Sequence, residues 1–242
     1  MKLFRLFIVL FIFSGCAATQ IALEKKDLRV ETKMSSTIFL DIETQASRTA
    51  FIDVRNTSDQ DIDIKTLLAS KLQPKGYTIS ATPKEAFYIL QCNILYVGKA
   101  DPSALRESLY AGYGGALGGA VAGGMIGATI RHGAGLGYGA GIGALAGVAA
   151  ELIAGSLVKD VTYTIVTDLM VSEQSMENVS QTIEADLNQG SGSKIKQSSN
   201  TTVNRKRYQT RIVSTANKVN LDLAEALPQL TDNLSKSIAG IF

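Results

Sequence analysis

The sequence predicts an α+β protein. It reads as one mixed α/β soluble domain formed by both halves of the chain, with a Gly/Ala-rich transmembrane helical hairpin inserted between them. Three observations predict this. First, glycine recurs at every fourth position in two runs, Gly115, Gly119, Gly123 and Gly127, then Gly135, Gly139, Gly143 and Gly147. That spacing aligns small residues in a stripe along a helix, and such stripes let helix backbones approach closely in a bilayer. Second, the flanking segments show the alternation of half-buried strands and the 3/4 spacing of amphipathic helices. Third, neither flank looks complete alone, and two membrane crossings return the chain to the side it left, which lets the halves meet.

The N-terminus supplies an address. Met1-Lys2-Leu3-Phe4-Arg5 is a short basic start, and residues 6–13 are an apolar run of signal-core length, too short to span a bilayer. The run ends in Phe13-Ser14-Gly15-Cys16, small residues before a cysteine in the pattern of a bacterial lipobox, with Phe13 where Leu is usual. Residues 1–15 are therefore expected to be a lipoprotein signal peptide, with lipidation at Cys16. Ala17-Ala18-Thr19-Gln20 follows, with no Asp next to the cysteine; for such lipoproteins this implies export to the outer membrane. The other cysteine, Cys92, has no partner if Cys16 is acylated. It is expected as a buried thiol on the apolar side of a strand with Tyr88, Leu90, Ile94 and Tyr96.

Residues 16–107 form the first half of the expected domain. Residues 49–55 read as a strand and 56–59 as a turn. Ile64, Leu67, Leu68 and Leu72 have helical spacing, closed by Lys75-Gly76-Tyr77, where a short strand over 77–79 begins. Thr82-Pro83 punctuates the chain. Residues 87–97 are the best strand in this half, with Gln91 and Asn93 on its less apolar face.

Residues 108–158 form the expected hairpin. No charge occurs over 108–130, about 34 Å of helix against a ~30 Å hydrocarbon core. Residues 133–150 are again uncharged, and Glu151 follows near the far interface. In water each helical glycine costs roughly 1 kcal/mol against alanine, whereas in lipid an unpaired amide costs several. Leu and Phe are sparse here, which suits passage through the inner membrane without retention. A lone hairpin leaves one small-residue face uncovered, so a homo-oligomer with hairpins side by side in a ring is expected. Arg131 and His132 would form the hairpin tip and cap it at headgroup level.

Residues 159–242 supply the second half. Val161, Tyr163, Ile165, Leu169 and Val171 alternate with Thr162, Thr164 and Asp168 as a half-buried strand. Gln189-Gly190-Ser191-Gly192-Ser193 reads as a flexible loop, and residues 208–213 as a further strand. Leu223, Leu227, Leu230, Leu234, Ile238 and Ile241 repeat as an amphipathic helix. Pro228 marks its start or a bend.

No catalytic set emerges. His132 is the one histidine, so neither a nucleophile–base pair nor a histidine-rich metal site can be assembled. Residues 141–146 faintly resemble a dinucleotide fingerprint but lack a preceding strand, and no GK[ST] follows any glycine run. Asp59, Asp61 and Asp63 lack the glycine and glutamate of a calcium loop. Arg205-Lys206-Arg207 reads as a solvated rim. A net charge of +2 is too small to argue for nucleic acid. The expectation is no enzyme, no cofactor and no metal.

Several short stretches, in order along the chain, carry a resemblance: residues 54–59, Lys75-Gly76-Tyr77, residues 105–108 and residues 161–164. The strongest is Tyr208-Gln209-Thr210-Arg211-Ile212-Val213-Ser214 running into residues 216–221, with residues 236–239 closing the chain. Together they resemble the TraT family of complement-resistance and surface-exclusion lipoproteins of conjugative plasmids. The resemblance implies a lipid-anchored outer-membrane oligomer, partly exposed at the cell surface. Such a protein blocks mating contact with donors of related plasmids, resists complement, and has no enzymatic activity or cofactor. Its implied partners are further copies of itself, outer-membrane lipids, and donor-cell surface or pilus components. The expected tip, residues 130–138, would select the donor, with the soluble domain in the periplasm. The alternative is a structural envelope lipoprotein or oligomeric outer-membrane pore without donor recognition.

Overall fold

The computed structural model describes residues 23–40, 48–115, 117, 159–189 and 193–242. Six strands form one sheet: β1 Arg29–Met34, β2 Thr49–Asn56, β3 Thr78–Ile79, β4 Tyr88–Lys99, β5 Asp160–Gln189 and β6 Ser193–Val219. Their order across the sheet is β1-β6-β5-β4-β2-β3. β2 runs parallel to β3 and β4, and the other pairings are antiparallel. β4 of the first half lies against β5 of the second, and β1 against β6, so both halves build one sheet.

Helices α1 (Ile64–Leu72) and α3 (Leu223–Ala239) cover one face. Ile64, Leu68 and Leu72 of α1 and Leu230, Leu234 and Ile238 of α3 pack on Ile52, Leu90, Ile165, Leu169 and Ile212, all fully buried. Each such side chain contributes roughly 1.5–3 kcal/mol by leaving water. α1 starts because the Asp63 carboxylate accepts from the Thr66 N–H at 2.9 Å. After it a 3₁₀ turn, Gln73–Lys75, closes on Gly76 at φ +87°, a conformation glycine adopts at little cost. α3 starts at Asp222, which caps Glu225 N–H at 2.7 Å, and so begins one turn and a half before Pro228. Asp232 ties the two helices, meeting Lys71 at 2.7 Å and Lys236 at 2.5 Å.

The opposite face carries a smaller cluster under α2, Pro102–Ala111. Ala104 and Leu105 pack there on Val166, Val213 and Ala100. Asp101 caps the helix through Ser103 N–H at 2.7 Å, and Pro102 stands in its first turn.

The architecture corrects the expected fold class. The molecule is mostly β, a six-stranded sheet with three short helices among the described residues, rather than an α/β domain carrying an inserted transmembrane helical hairpin. No described helix is long and apolar enough to cross a membrane. The helix expected to begin at Ser108 is instead the end of α2. It stops at Ala111, with Gly112 at φ +67° and Gly114 at φ +69°. The physical reason is that a four-residue spacing makes a stripe only where the backbone is already helical. Glycine resists helix least of all when it is leaving one, and here tertiary hydrogen bonds draw the backbone away. Residues 116 and 118–158, including the rest of the expected hairpin, lie outside the described residues.

Two further differences concern strands. β5 and β6 are far longer than the segments read from alternation, and they pair as a hairpin with Gln189 opposite Ser193, flanking the expected loop. β1 was not anticipated, because Glu31 and Lys33 interrupt its apolar pattern. Its Val30 and Met34 pack on the helix-covered face, and Glu31 and Lys33 occupy the other.

Candidate functional site

The most heavily built polar site lies where the chain leaves α2 for the glycine-rich segment. Asp168 on β5 and Arg211 on β6 stand opposite each other in register, on the face that α2 partly covers. Arg211 is 1% exposed. Its Nε donates to Asp168 Oδ1 at 2.7 Å and its Nη2 to Oδ2 at 3.0 Å, a bidentate pair. The pair is also bonded to the departing chain. Arg211 Nη2 donates to the Gly115 carbonyl at 2.8 Å and Nη1 to the Ser108 carbonyl at 3.4 Å. Gly114 N–H donates to Asp168 Oδ2 at 2.9 Å. These bonds satisfy both charges and set the path of residues 112–115.

Gly115 has a specific steric role there. A Cβ at this position would fall on the carbonyl oxygen of Ala111 and lie 2.8 Å from its carbon. The glycine is required by close backbone approach at the end of α2. The segment's return is also tied. Lys159 N–H donates to Asn220 Oδ1 at 2.9 Å, and Asn220 N–H to the Lys159 carbonyl at 2.7 Å. Asn220 takes φ +51° to do so, which asparagine tolerates better than most residues.

Beside α2 is a cavity of about 630 Å³, between the helix and strands β1, β6 and β5. Leu105, Leu109 and Val213 give it an apolar floor, and Arg29 and Arg106 stand on its walls. Two ion pairs lie within the lining. Lys25 pairs with Asp160, which also accepts from Asn217 Nδ2 at 2.7 Å, and Lys33 meets Glu31 at 3.2 Å. Nothing in this lining pairs a nucleophile with a base.

On the other face, Glu173 is 1% exposed. It accepts from Tyr208 Oη at 3.0 Å and Tyr88 Oη at 3.4 Å, and Lys206 stands opposite it in register. Tyr88 packs edge-on against Phe242 at 5.3 Å and Phe87 at 4.9 Å, so the carboxylate and the last residue share one aromatic corner.

A profile described as enterobacterial TraT complement resistance protein matches residues 27–242. The chain belongs to the TraT family. It is similar to a TraT complement resistance protein of Escherichia coli, 40% identical over 231 residues that cover 95% of this chain and 92% of the relative. A protein of the same description from Escherichia coli strain K12 is 42% identical over 233 residues, 94% of this chain and 92% of that one. Another, from Wigglesworthia glossinidia brevipalpis, is 32% identical over 246 residues, 99% and 96% of the two chains.

The TraT match spans the buried pair, both tied ends of the glycine segment and Glu173. Of the residues singled out from sequence, Gly115 is in coil at the Arg211 site. Gly119, Gly123, Gly127, Gly135, Gly139, Gly143 and Gly147 lie outside the described residues, as do Cys16, Arg131 and His132. Cys92 is buried, with its thiol pushed up to about 12 by burial and then by the charge of Asp53. Arg205 is a strut rather than a solvated rim, donating to the carbonyls of Ala86 at 2.8 Å and Phe87 at 3.0 Å; burial pulls its pKa down. Asp63 is a helix cap. Among the described residues no group of three His, Cys, Asp or Glu is placed to hold a metal. Sequence reasoning missed Asp168–Arg211 and Glu173. Each is a charge on the buried part of a strand, and only the register pairs it.

Proposed function

We propose that this chain is a non-enzymatic lipoprotein of the outer membrane that reduces killing by complement. In a recipient cell it would also exclude donors carrying related conjugative plasmids. Membership of the TraT family over residues 27–242 carries the reading, supported by relatives about 40% identical that are described as complement resistance proteins. The lipobox ending at Cys16, with Ala17 after it, supports acylation and sorting to the outer membrane. The protein acts there as an assembly of its own copies, in contact with outer-membrane lipids and with the surface or pilus of a donor. Resistance and exclusion are barrier functions that need no turnover, which fits a polar site spent on holding backbone.

The test is to express the chain, and a Cys16→Ala variant, in a plasmid-free recipient. Survival in serum and transconjugant counts from a panel of related donors are then measured. The expected result is higher survival and fewer transconjugants for the wild type only. A surface-localised, lipidated protein that changes neither count would instead indicate the structural envelope role.

A further inference from the structure

Strands β5 and β6 continue well past the sheet they help form. β4 stops pairing with β5 at Glu173, and β1 covers β6 only from Ile212 to Asn217. Beyond those points the two strands pair with each other, through Val179 opposite Val203 to Gln189 opposite Ser193. The β5 arm, residues 174–189, would be roughly 50 Å long at the usual strand rise. Among the described residues, no strand lies against the outer edge of either arm over 176–189 or 193–203.

A two-stranded ribbon is marginal in water by itself, and a long open edge is a template for another strand. Natural edges are usually blunted by proline or by charge. Residues 174–205 contain no proline, and 197–203 carry no charge. The charges that do occur are sorted by arm. Glu177, Glu184 and Asp186 lie on β5, and Lys194 and Lys196 on β6.

We propose that the ribbon is the assembly interface, in which the β6 edge of one copy pairs with the β5 edge of the next. Ribbons pointing the same way give antiparallel pairing at each new junction, and the basic arm meets the acidic arm. A second copy on each side satisfies both edges. Because the two edges differ, the contact is head-to-tail, the type that builds a ring when the rotation between copies closes. This deepens the proposal that the protein acts as an assembly of its own copies.

The test uses full-length, detergent-extracted protein. Two differently tagged chains are co-expressed, one with Thr182→Cys and the other with a cysteine at one of the positions 198–202. Oxidation is expected to give a disulfide joining the two tags at one or two neighbouring positions. A second variant replaces residues 177–202 with a short turn. It is expected to migrate as a single chain by light scattering while keeping a cooperative unfolding transition. A ribbon-deleted protein that remains an oligomer, or the absence of any cross-link across the scan, would overturn the proposal. Assembly is read without serum or mating, so an assembled protein that fails those tests would count against the functional reading alone.

Discussion

At the scale of single residues, Asp168 and Arg211 hold the most consequential contact. A buried ion pair is costly to desolvate, and removing one partner leaves the other charge unmatched. Arg211→Met is expected to lose about 3–5 kcal/mol of stability, read as a fall in the urea midpoint. Asp168→Leu with Arg211→Met should recover much of that loss; a double variant as unstable as the sum of the singles would refute the charge account. Cys92 offers a second residue-level test. Its thiol, pushed up to about 12, should resist a thiol reagent at pH 8 until the protein unfolds. Purified mature protein should then titrate one thiol if Cys16 is acylated and two if it is not. Position by position, residue chemistry was partly legible. Cys92 declared itself through its apolar neighbours on alternate positions, whereas Asp168 and Arg211 are 43 residues apart and only strand register makes them a pair.

At the scale of elements, helices α1 and α3 were the most readable, because their 3/4 spacing is local and their caps, Asp63 and Asp222, are one residue outside it. Asp63 has its pKa lowered by the Thr66 bonds, and Asp232 by Lys236 and Lys71. Both carboxylates therefore contribute stability above their ordinary value near 3.8, and lose it as pH falls through the lower folded value. Urea midpoints measured from pH 6 down to 2 should decline at the acid end, and less so in Asp232→Asn. The end of α2 makes a sharper case. Gly115→Ala forces a Cβ onto the Ala111 carbonyl and should cost about 1–3 kcal/mol, as overpacking does. Gly112→Ala meets nothing within 4 Å, but at φ +67° and ψ −168° an alanine is strained by about 1–3 kcal/mol as well. A Gly115→Ala variant with an unchanged urea midpoint would contradict the close approach described at Ala111. From sequence Gly115 reads as the first member of a helical glycine stripe, since period alone does not say whether a backbone is helical.

At the scale of the whole molecule, the sheet is the unit that joins the halves. β4 needs β5 and β1 needs β6, so residues 16–107 alone lack the strands that complete their core. A chain ending there should show no cooperative unfolding. The glycine segment, in contrast, is tied at both ends to β6 or the turn after it, through Arg211 and Asn220, nine positions apart or roughly 30 Å along a strand. Replacing residues 118–158 by a flexible linker of about 30 residues should therefore preserve a cooperative melt. Loss of the melt would show that the segment is needed for the sheet to fold.

By itself the sequence determined the local matters: that α1 and α3 are helices, that Cys92 is buried, and the family, because these depend on neighbours in the chain or on short matched runs. The tertiary structure alone decided that the domain is mostly sheet, that β5 and β6 extend into a ribbon, and that the first glycines bend away from a helix. Those outcomes depend on which strand lies beside which, and on hydrogen bonds from Asp168 and Arg211 to backbone more than fifty residues away in sequence. No periodicity read along the chain contains that information.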